Sequence, residues 1–176
     1  MKELLDNGAV QVAANDETTP LIRAADKGLD KIVHLLLTQS TAGIDLQIED
    51  NKYTALHRAA ARDHQRTVSE LLQAGANPDI QDRHLFTPLM LACQEGNTEV
   101  VKILLGKGAN IKLHNKYGFF PIHRAAARNC ADVVKILLNH KCDPDTVSKV
   151  CQIQSISIEE LLQPYPVTNL YLFLPV

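Results

Sequence analysis

The sequence predicts an all-α fold, an elongated solenoid of stacked helix-turn-helix units joined by hairpin loops. A short motif occurs four times, and its anchor residues stand 35, 33 and 33 positions apart. An apolar run that contains paired leucines follows each copy. A nearly constant period of this size is typical of repeat architectures, in which each unit supplies one helix pair. The copies are TTPLIRAA (residues 18–25), YTALHRAA (53–60), FTPLMLAC (86–93) and FFPIHRAA (119–126).

The motif predicts the start of a first helix in each unit. Pro20, Pro88 and Pro121 directly follow the anchor residue, where the first helical turn tolerates a missing N–H. Pairs of small residues such as Ala59-Ala60 come next and let neighbouring helices approach closely. Because one unit cannot bury its apolar face alone, we expect stacking of the units to supply the core.

The apolar run predicts a second helix with one buried face. In the third unit Val100 and Val101 lie on one helical face, while Glu99 lies on the other. Turn residues such as Gly28 and Gly96 separate the two helices of a unit. A glycine beyond the last leucine then provides the expected stop of the second helix.

These residues resemble the signature of the ankyrin repeat family, T-P-L-H-x-A-A followed by V-V-x-x-L-L and G-A-D/N. The resemblance covers residues 1–145 and implies a right-handed solenoid of antiparallel helix pairs with projecting hairpins. In this comparison we expect the sequence to be a fragment of a longer array, since its first unit lacks a first helix and the repeat pattern fades after Pro144. The predicted units are a partial N-terminal repeat at 1–16 (second helix and hairpin), ankyrin repeats at 17–49, 50–82, 83–115 and 116–148, and a divergent C-terminal tail at 149–176 with one short helix.

Two departures from the family pattern are visible. The first unit contains two extra residues, which we expect in LTQSTAGID, residues 37–45. The glycine that precedes the anchor in the family remains only as Gly118, and Lys52 and Leu85 stand at the equivalent places.

His57 and His123 are the residues that most resemble catalytic or metal-binding groups. They occupy the His of T-P-L-H, which in the family forms local hydrogen bonds that tighten the turn. The other two units have Ile22 and Met90 at this place, which a reaction centre could not tolerate. We therefore expect the two histidines to be structural.

The sequence favours neither an enzyme nor a cofactor-binding protein. It contains no Gly-rich phosphate loop, G-x-S-x-G or H-E-x-x-H motif, and we expect no catalytic, cofactor or metal site. The cluster His140, Cys142 and Cys151 matches no standard zinc spacing. A formal charge of -2 provides no basic field for nucleic acid, and no apolar stretch reaches the length of a membrane span.

The positions that vary between units predict the partner-binding surface. Tyr53, Phe86 and Phe119 precede the motif at the hairpin tips, and stacking of the units should align them as an aromatic ladder. Arg58 and Arg124 recur at one place of the first helices. Alternatively, the rings pack against the next hairpin and the arginines pair with acidic neighbours. The predicted binding residues are Tyr53, Phe86, Phe119, His84, Tyr117, Arg62, Glu95 and Arg128.

The resemblance implies a non-catalytic protein–protein interaction module, a scaffold, adaptor or regulatory binding domain that uses its concave surface and hairpin tips. We expect a protein partner, a cytoplasmic or nuclear location, and a monomer that can self-associate through uncapped ends. Two alternatives remain. Residues 118–126 are similar to the ankyrin region of TRP-type ion channels. Residues 157–163 are similar to the start of a SOCS box, which would indicate a substrate adaptor of a ubiquitin ligase.

Overall fold

Every regular element in the described part of the chain is a helix. The computed structural model describes residues 18–48 and 50–140. Within them the first and second helices alternate along the chain, which confirms the all-α repeat solenoid. The helices are α1 (Pro20–Asp26), α2 (Asp30–Gln39), α3 (Ala55–Ala61), α4 (Gln65–Gln73), α5 (Pro88–Glu95), α6 (Thr98–Gly106), α7 (Pro121–Ala127) and α8 (Ala131–Asn139).

Four predicted segments fall wholly or partly outside the described residues, and of the unit 17–49 it is residues 17 and 49 that do so. The partial repeat at 1–16 and the tail at 149–176 lie outside them, as do the last residues of the unit 116–148. None of the helices in the described part of the chain is long and apolar enough to cross a membrane.

Threonine anchors start three of the four first helices. The hydroxyl oxygens of Thr19, Thr54 and Thr87 accept hydrogen bonds from the N–H three residues later, over 3.1, 3.3 and 3.2 Å. This bond satisfies one of the N–H groups that have no partner inside the helix. Phe120 offers no such oxygen. There the backbone N–H of Phe120 donates to Nδ1 of His123 over 3.0 Å.

The core runs along the stack as rows of equivalent side chains. The paired small residues of the first helices are buried, and Ala59 and Ala92 are inaccessible to solvent. This burial confirms that the paired small residues let successive first helices pack closely. The second helices contribute a row of equivalent valines, which are Val33, Val68, Val101 and Val134.

The hairpin loops close through backbone hydrogen bonds. Asp82 N–H donates to the Phe86 carbonyl, and Asn115 N–H donates to the Phe119 carbonyl, both over 2.9 Å. In the first unit the bond runs from Ile48 to Tyr53 over 3.2 Å, so this hairpin contains one more residue. One of the two extra residues therefore lies here, and the expectation that both lie in 37–45 was wrong. The repeat spacing shows that the first unit has two extra residues, but it does not show where in the loop they lie.

A left-handed residue precedes the anchor in each hairpin. Lys52 and Leu85 have φ angles of 58° and 61°, close to the 79° of Gly118. Residues with a side chain rarely adopt this conformation, because their Cβ approaches the following carbonyl. The hairpin geometry is thus retained where the family glycine is replaced.

Candidate partner-binding surface

The hairpins are joined to one another into a continuous edge. Nε2–H groups of Gln47 donate to the carbonyls of Lys52 in the same hairpin, at 2.8 Å, and of Gln81 in the next, at 2.9 Å. Gln81 repeats the arrangement with the carbonyls of Leu85, at 3.0 Å, and His114, at 3.2 Å. Each glutamine therefore ties two successive hairpins together and fixes their spacing.

The tips of the hairpins are also linked through the backbone. Lys116 N–H donates to the His84 carbonyl over 3.0 Å. Within the tips, Oδ1 of Asp82 accepts from the His84 N–H over 2.7 Å, and Oδ1 of Asn115 accepts from the Tyr117 N–H over 3.0 Å. These bonds hold the backbone of His84 and Tyr117 while their side chains face solvent.

Tyr53 is half-buried and lies between two side chains of its own unit. Its ring stacks on the His57 ring with centroids 5.4 Å apart and an interplanar angle of 6°. The guanidinium carbon of Arg58 lies 4.8 Å from the Tyr53 centroid, a cation–π distance. Burial raises the pKa of Tyr53, and the carboxylate of Asp82 raises it further. The hydroxyl is therefore held in its neutral, hydrogen-bonding form.

Phe86 and Phe119 occupy the equivalent places but have different neighbours. The guanidinium carbon of Arg124, from the following unit, lies 5.1 Å from the Phe86 centroid. Phe119 lies 5.8 Å from the His123 ring. Within residues 18–48 and 50–140, no ring contact joins Tyr53, Phe86 and Phe119 to one another. The three residues are aligned by the repeat, and each ring contacts a His or Arg side chain.

His57 connects its own helix start to the next hairpin. Its Nδ1 accepts from the Thr54 N–H over 3.2 Å, so the proton of the neutral ring is on Nε2. Nε2 lies 3.1 Å from the Phe86 carbonyl and donates to it. Burial lowers the pKa of His57 to about 4, although the bond to the Phe86 carbonyl partly opposes this. The structural role expected for this histidine is thus confirmed.

In the first two units one carboxylate pairs with two arginines of the next first helix. Oδ1 of Asp26, in α1, lies 3.0 Å from Nε of Arg62 and 3.9 Å from Nη1 of Arg58, both in α3. The side chains remain partly exposed, at 29%, 56% and 30%. In this half of the surface the arginines do pair with an acidic neighbour, as the alternative interpretation expected.

The last two units hold an arginine with a neutral partner. Oε1 of Gln94, in α5, accepts from Nε of Arg124 over 3.1 Å and from Nη2 of the same guanidinium. Burial lowers the pKa of Arg124, and the positive charge of Arg128 lowers it further, while Glu95 opposes the shift. Within residues 18–48 and 50–140, neither arginine forms an ion pair.

The predicted site residues therefore lie on one side of the molecule, but they differ in solvent exposure and in ion pairing. His84, Tyr117, Glu95 and Arg128 are exposed, and Arg62 is paired. Their role in binding stays a prediction. We use the name first-helix surface for the exposed residues of α1, α3, α5 and α7 together with the hairpin tips before α3, α5 and α7.

Two residues that control this surface were missed by the sequence reasoning. Asp26 and Gln94 are the acceptors that hold the arginines of the next first helix. In the repeat register the same place holds Ala61 in the second unit and Ala127 in the fourth. This alternation of polar and small residues was the available signal.

The described residues offer little to a metal ion. They contain no group of three or more His, Cys, Asp or Glu side chains that could hold one. Of the cluster His140, Cys142 and Cys151, only His140 is among them. Cys130 is half-buried, and burial raises the pKa of its thiol, so the neutral thiol predominates near neutral pH.

Comparison with known proteins agrees with the repeat geometry. The family model described as "Ankyrin repeats (3 copies)" matches residues 1–82 and again residues 67–148. The chain belongs to the ankyrin repeat family. Ankyrin repeats are, in general, modules that bind other proteins.

Several curated ankyrin proteins are similar to part of the chain. Mouse "Ankyrin repeat and SOCS box protein 16" is 39% identical over 88 residues, which are 46% of this chain and 19% of that protein. "Ankyrin repeat, SAM and basic leucine zipper domain-containing protein 1" of Saimiri boliviensis boliviensis is 32% identical over 105 residues, 56% of this chain and 21% of that protein. Human "SH3 and multiple ankyrin repeat domains protein 2" is 37% identical over 91 residues, 49% of this chain and 5% of that protein. The matched ankyrin region therefore spans about a fifth or less of these relatives.

Proposed function

We propose that the protein is a non-catalytic interaction module that captures a protein partner on its first-helix surface. The supporting observation is that hydrogen bonds between units hold Tyr, Phe, His and Arg side chains along one edge. Tyr and Arg are among the residues that dominate the energetics of protein interfaces. Because the hairpins are already tied together, little ordering of the backbone would oppose binding.

The proposed binding residues act in two groups. The rings of Tyr53, Phe86 and Phe119 supply apolar area beside a guanidinium or imidazole. The exposed tips at His84 and Tyr117 extend that area, and Tyr117 is 65% exposed. The Nζ of Lys116 lies 4.9 Å from the Tyr117 centroid, so this ring already carries a cation on one face.

An adaptor or scaffold role is a finer version of the same proposal. One relative carries a SOCS box in its name and another carries SH3 and multiple ankyrin repeats. The residues that are similar to the start of a SOCS box, 157–163, lie outside the described part of the chain. Capture of elongin-type subunits by the full chain would support the ubiquitin ligase alternative. A parent transcript with downstream membrane spans would support the channel alternative.

The test is affinity capture from cytosol with the full chain, followed by quantitative mass spectrometry. The test variant replaces Tyr53, Phe86 and Phe119 together by Ser. A matched control replaces Ile32, Leu35 and Leu46 by Ser, since these apolar residues are 47%, 57% and 37% exposed and lie off the surface. We expect the test variant to lose specific partners while its helical circular dichroism persists, and the control to keep them.

Two outcomes would contradict the proposal. In the first, the test variant stays helical and captures the same partners as the wild type. In the second, the test variant loses its helical signal, which would show that the rings serve packing. The binding role would then be judged from the single substitutions Tyr117→Ser and His84→Ser, which change exposed tips, and undiminished capture by both would overturn it.

A further inference from the structure

The charges of the described residues are unevenly distributed. The first helices with their hairpin tips contain nine Lys or Arg against five Asp or Glu, a formal charge of +4. The other described residues contain six of each sign and are neutral. The whole chain nevertheless has a formal charge of -2, so the first-helix surface is basic on an acidic chain. The first set comprises residues 18–27, 50–63, 82–95 and 115–128, and the second comprises 28–48, 64–81, 96–114 and 129–140.

The basic character is strongest in the fourth unit. Residues 115–128 contain Lys116, Arg124 and Arg128 and no Asp or Glu. The equivalent segment of the second unit has acids of its own and is also neutralised by Asp26. Facing the fourth unit, the neutral Gln94 stands where the first unit has Asp26, and Glu95 is the carboxylate that raises the pKa of Arg124.

Arg124 is ordered without being neutralised. Two of its five N–H donors are bound to the neutral Gln94 oxygen, and the Phe86 ring covers one face of the guanidinium. Burial and the neighbouring charge of Arg128 lower the pKa of this half-buried guanidinium, and the carboxylate of Glu95 only partly opposes them. A carboxylate close to both arginines would relieve the repulsion and would bind through charge-assisted hydrogen bonds.

We propose that Arg124, Arg128 and Lys116 form the recognition site for an acidic peptide segment of the partner. A side-chain carboxylate of that segment binds the remaining N–H donors of Arg124, and Arg128 and Lys116 bind neighbouring acidic groups. This inference rests on the proposed function and names the chemical class of the partner. It assigns the contacts that select the partner to the fourth unit, and it leaves Arg58 and Arg62 to their internal ion pair.

An acidic peptide fits this site better than a nucleic acid. Nucleic-acid binding proteins use an extended field of Lys and Arg to replace counterions along a phosphate backbone. Here the fourth-unit segment 115–128 is the one of the four first-helix segments that has three cations and no acid, and the chain as a whole is acidic. The face of Phe86 that could stack on a base is covered by Arg124, so stacking on single strands is not offered at this ring.

The test is fluorescence anisotropy of the full chain with a labelled twelve-residue peptide of repeating Glu-Glu-Leu-Ser. A control peptide has Gln in place of Glu, and a labelled oligothymidylate of twelve nucleotides tests the nucleic-acid class. The protein variants are Arg124→Gln, Gln94→Glu and Asp26→Asn. The control variant is Gln73→Glu, because Gln73 is exposed at the end of α4, away from this surface.

The expected changes follow from the local charges. Arg124→Gln and Gln94→Glu should each weaken acidic-peptide binding by about tenfold, which corresponds to about 1.4 kcal/mol. Asp26→Asn should strengthen it, because Arg58 and Arg62 are released from their carboxylate. Gln73→Glu adds the same charge as Gln94→Glu and should change affinity by less than about twofold, since a distant exposed charge is screened by salt.

Each contrary result has a definite meaning. Equal weakening by Gln73→Glu and Gln94→Glu would show that net charge alone governs binding and would overturn the site. Equal binding of the Gln peptide, or tighter binding of the oligothymidylate, would overturn the acidic-peptide class. Partner capture that depends on the aromatic residues but not on peptide acidity would leave the proposed function standing while this inference fails. Acidic-peptide binding without partner capture that depends on the aromatic residues would leave this inference standing while the proposed function fails.

Discussion

The first two units and the last two units each hold an arginine of the next first helix from the same repeat position, but with different acceptors. In the former, Asp26 holds Arg58 and Arg62 through ion pairs. In the latter, Gln94 holds Arg124 through hydrogen bonds to a neutral amide. The amide positions the guanidinium without cancelling its charge. The comparison teaches that one repeat geometry can yield either a closed ion pair or a cation that remains available to a ligand.

A second contrast between the same regions concerns the link to the next hairpin. In the second unit His57 bonds both the Thr54 N–H and the Phe86 carbonyl. In the third unit the equivalent residue is Met90, which is fully buried and fills the place by packing. The hairpin before α5 thus receives a side-chain hydrogen bond from the preceding first helix, whereas the hairpin before α7 has the apolar Met90 at that place and keeps its bonds to the preceding hairpin.

The largest expected effect comes from replacing His57 by methionine, the residue type at the equivalent position of the third unit. His57→Met leaves the Thr54 N–H and the Phe86 carbonyl without this partner, at about 1–3 kcal/mol for each buried polar group. We expect the free energy of unfolding in urea to fall by about 3–4 kcal/mol. The matched change Met90→Leu conserves the apolar character and should cost less than about 1.5 kcal/mol. Equal losses in the two variants would contradict the difference between the units.

The stability of the wild type should depend on pH more strongly than that of His57→Met. The unfolded histidine has a pKa of 6.5, and in the folded chain burial lowers the pKa of His57 to about 4. Between these values the unfolded state binds more protons, so stability falls as the pH is lowered. The contribution is fully present above pH 6.5 and amounts to about 3 kcal/mol. Urea unfolding from pH 7 to pH 4 should show a shallower slope for His57→Met than for the wild type.

The third effect concerns the helix starts, which differ between the units. Thr87→Val keeps the shape of the side chain but removes the oxygen that accepts from the Met90 N–H. We expect a loss of about 1 kcal/mol in the free energy of unfolding. The corresponding change Phe120→Leu removes no cap oxygen, because α7 has no side-chain cap of this kind. A stability loss for Thr87→Val no greater than that of Thr87→Ser would indicate that the oxygen contributes nothing.

The smallest expected effect is a gain in stability at a hairpin tip. Leu85 has a φ of 61° and is 40% exposed, so glycine should relieve the strained backbone. The left-handed conformation costs residues with a side chain about 1–2 kcal/mol, and the greater freedom of unfolded glycine offsets about 0.5–1 kcal/mol. We expect Leu85→Gly to raise the midpoint of urea unfolding slightly, and Gly118→Ala to lower it. A lower midpoint for Leu85→Gly would show that the Leu85 side chain contributes more than its strain costs.

The repeat organisation could be predicted because its signals are local. The Thr anchors, small pairs and apolar runs each act within one unit, so their spacing located the helices, while the structural role of His57 was implied by the family resemblance. The position of the first hairpin's extra residue could not be read, since the sequence does not show which loop residues form the hydrogen bond that closes the hairpin. The difference between Asp26 and Gln94 was also missed, because their importance arises only when a side chain from the next unit reaches them.

The central claim, that the cations which recognise the partner lie in the fourth unit, is tested most directly by nuclear magnetic resonance. The nitrogen-15-labelled full chain would be titrated with the Glu-Glu-Leu-Ser peptide, and the shifts of assigned backbone and Arg Nε–H signals followed. We predict that the largest changes occur at Gln94, Arg124 and Arg128, with Asp26 and Arg62 little affected. Changes that are equal in both regions, or larger at Asp26 and Arg62, would contradict the account.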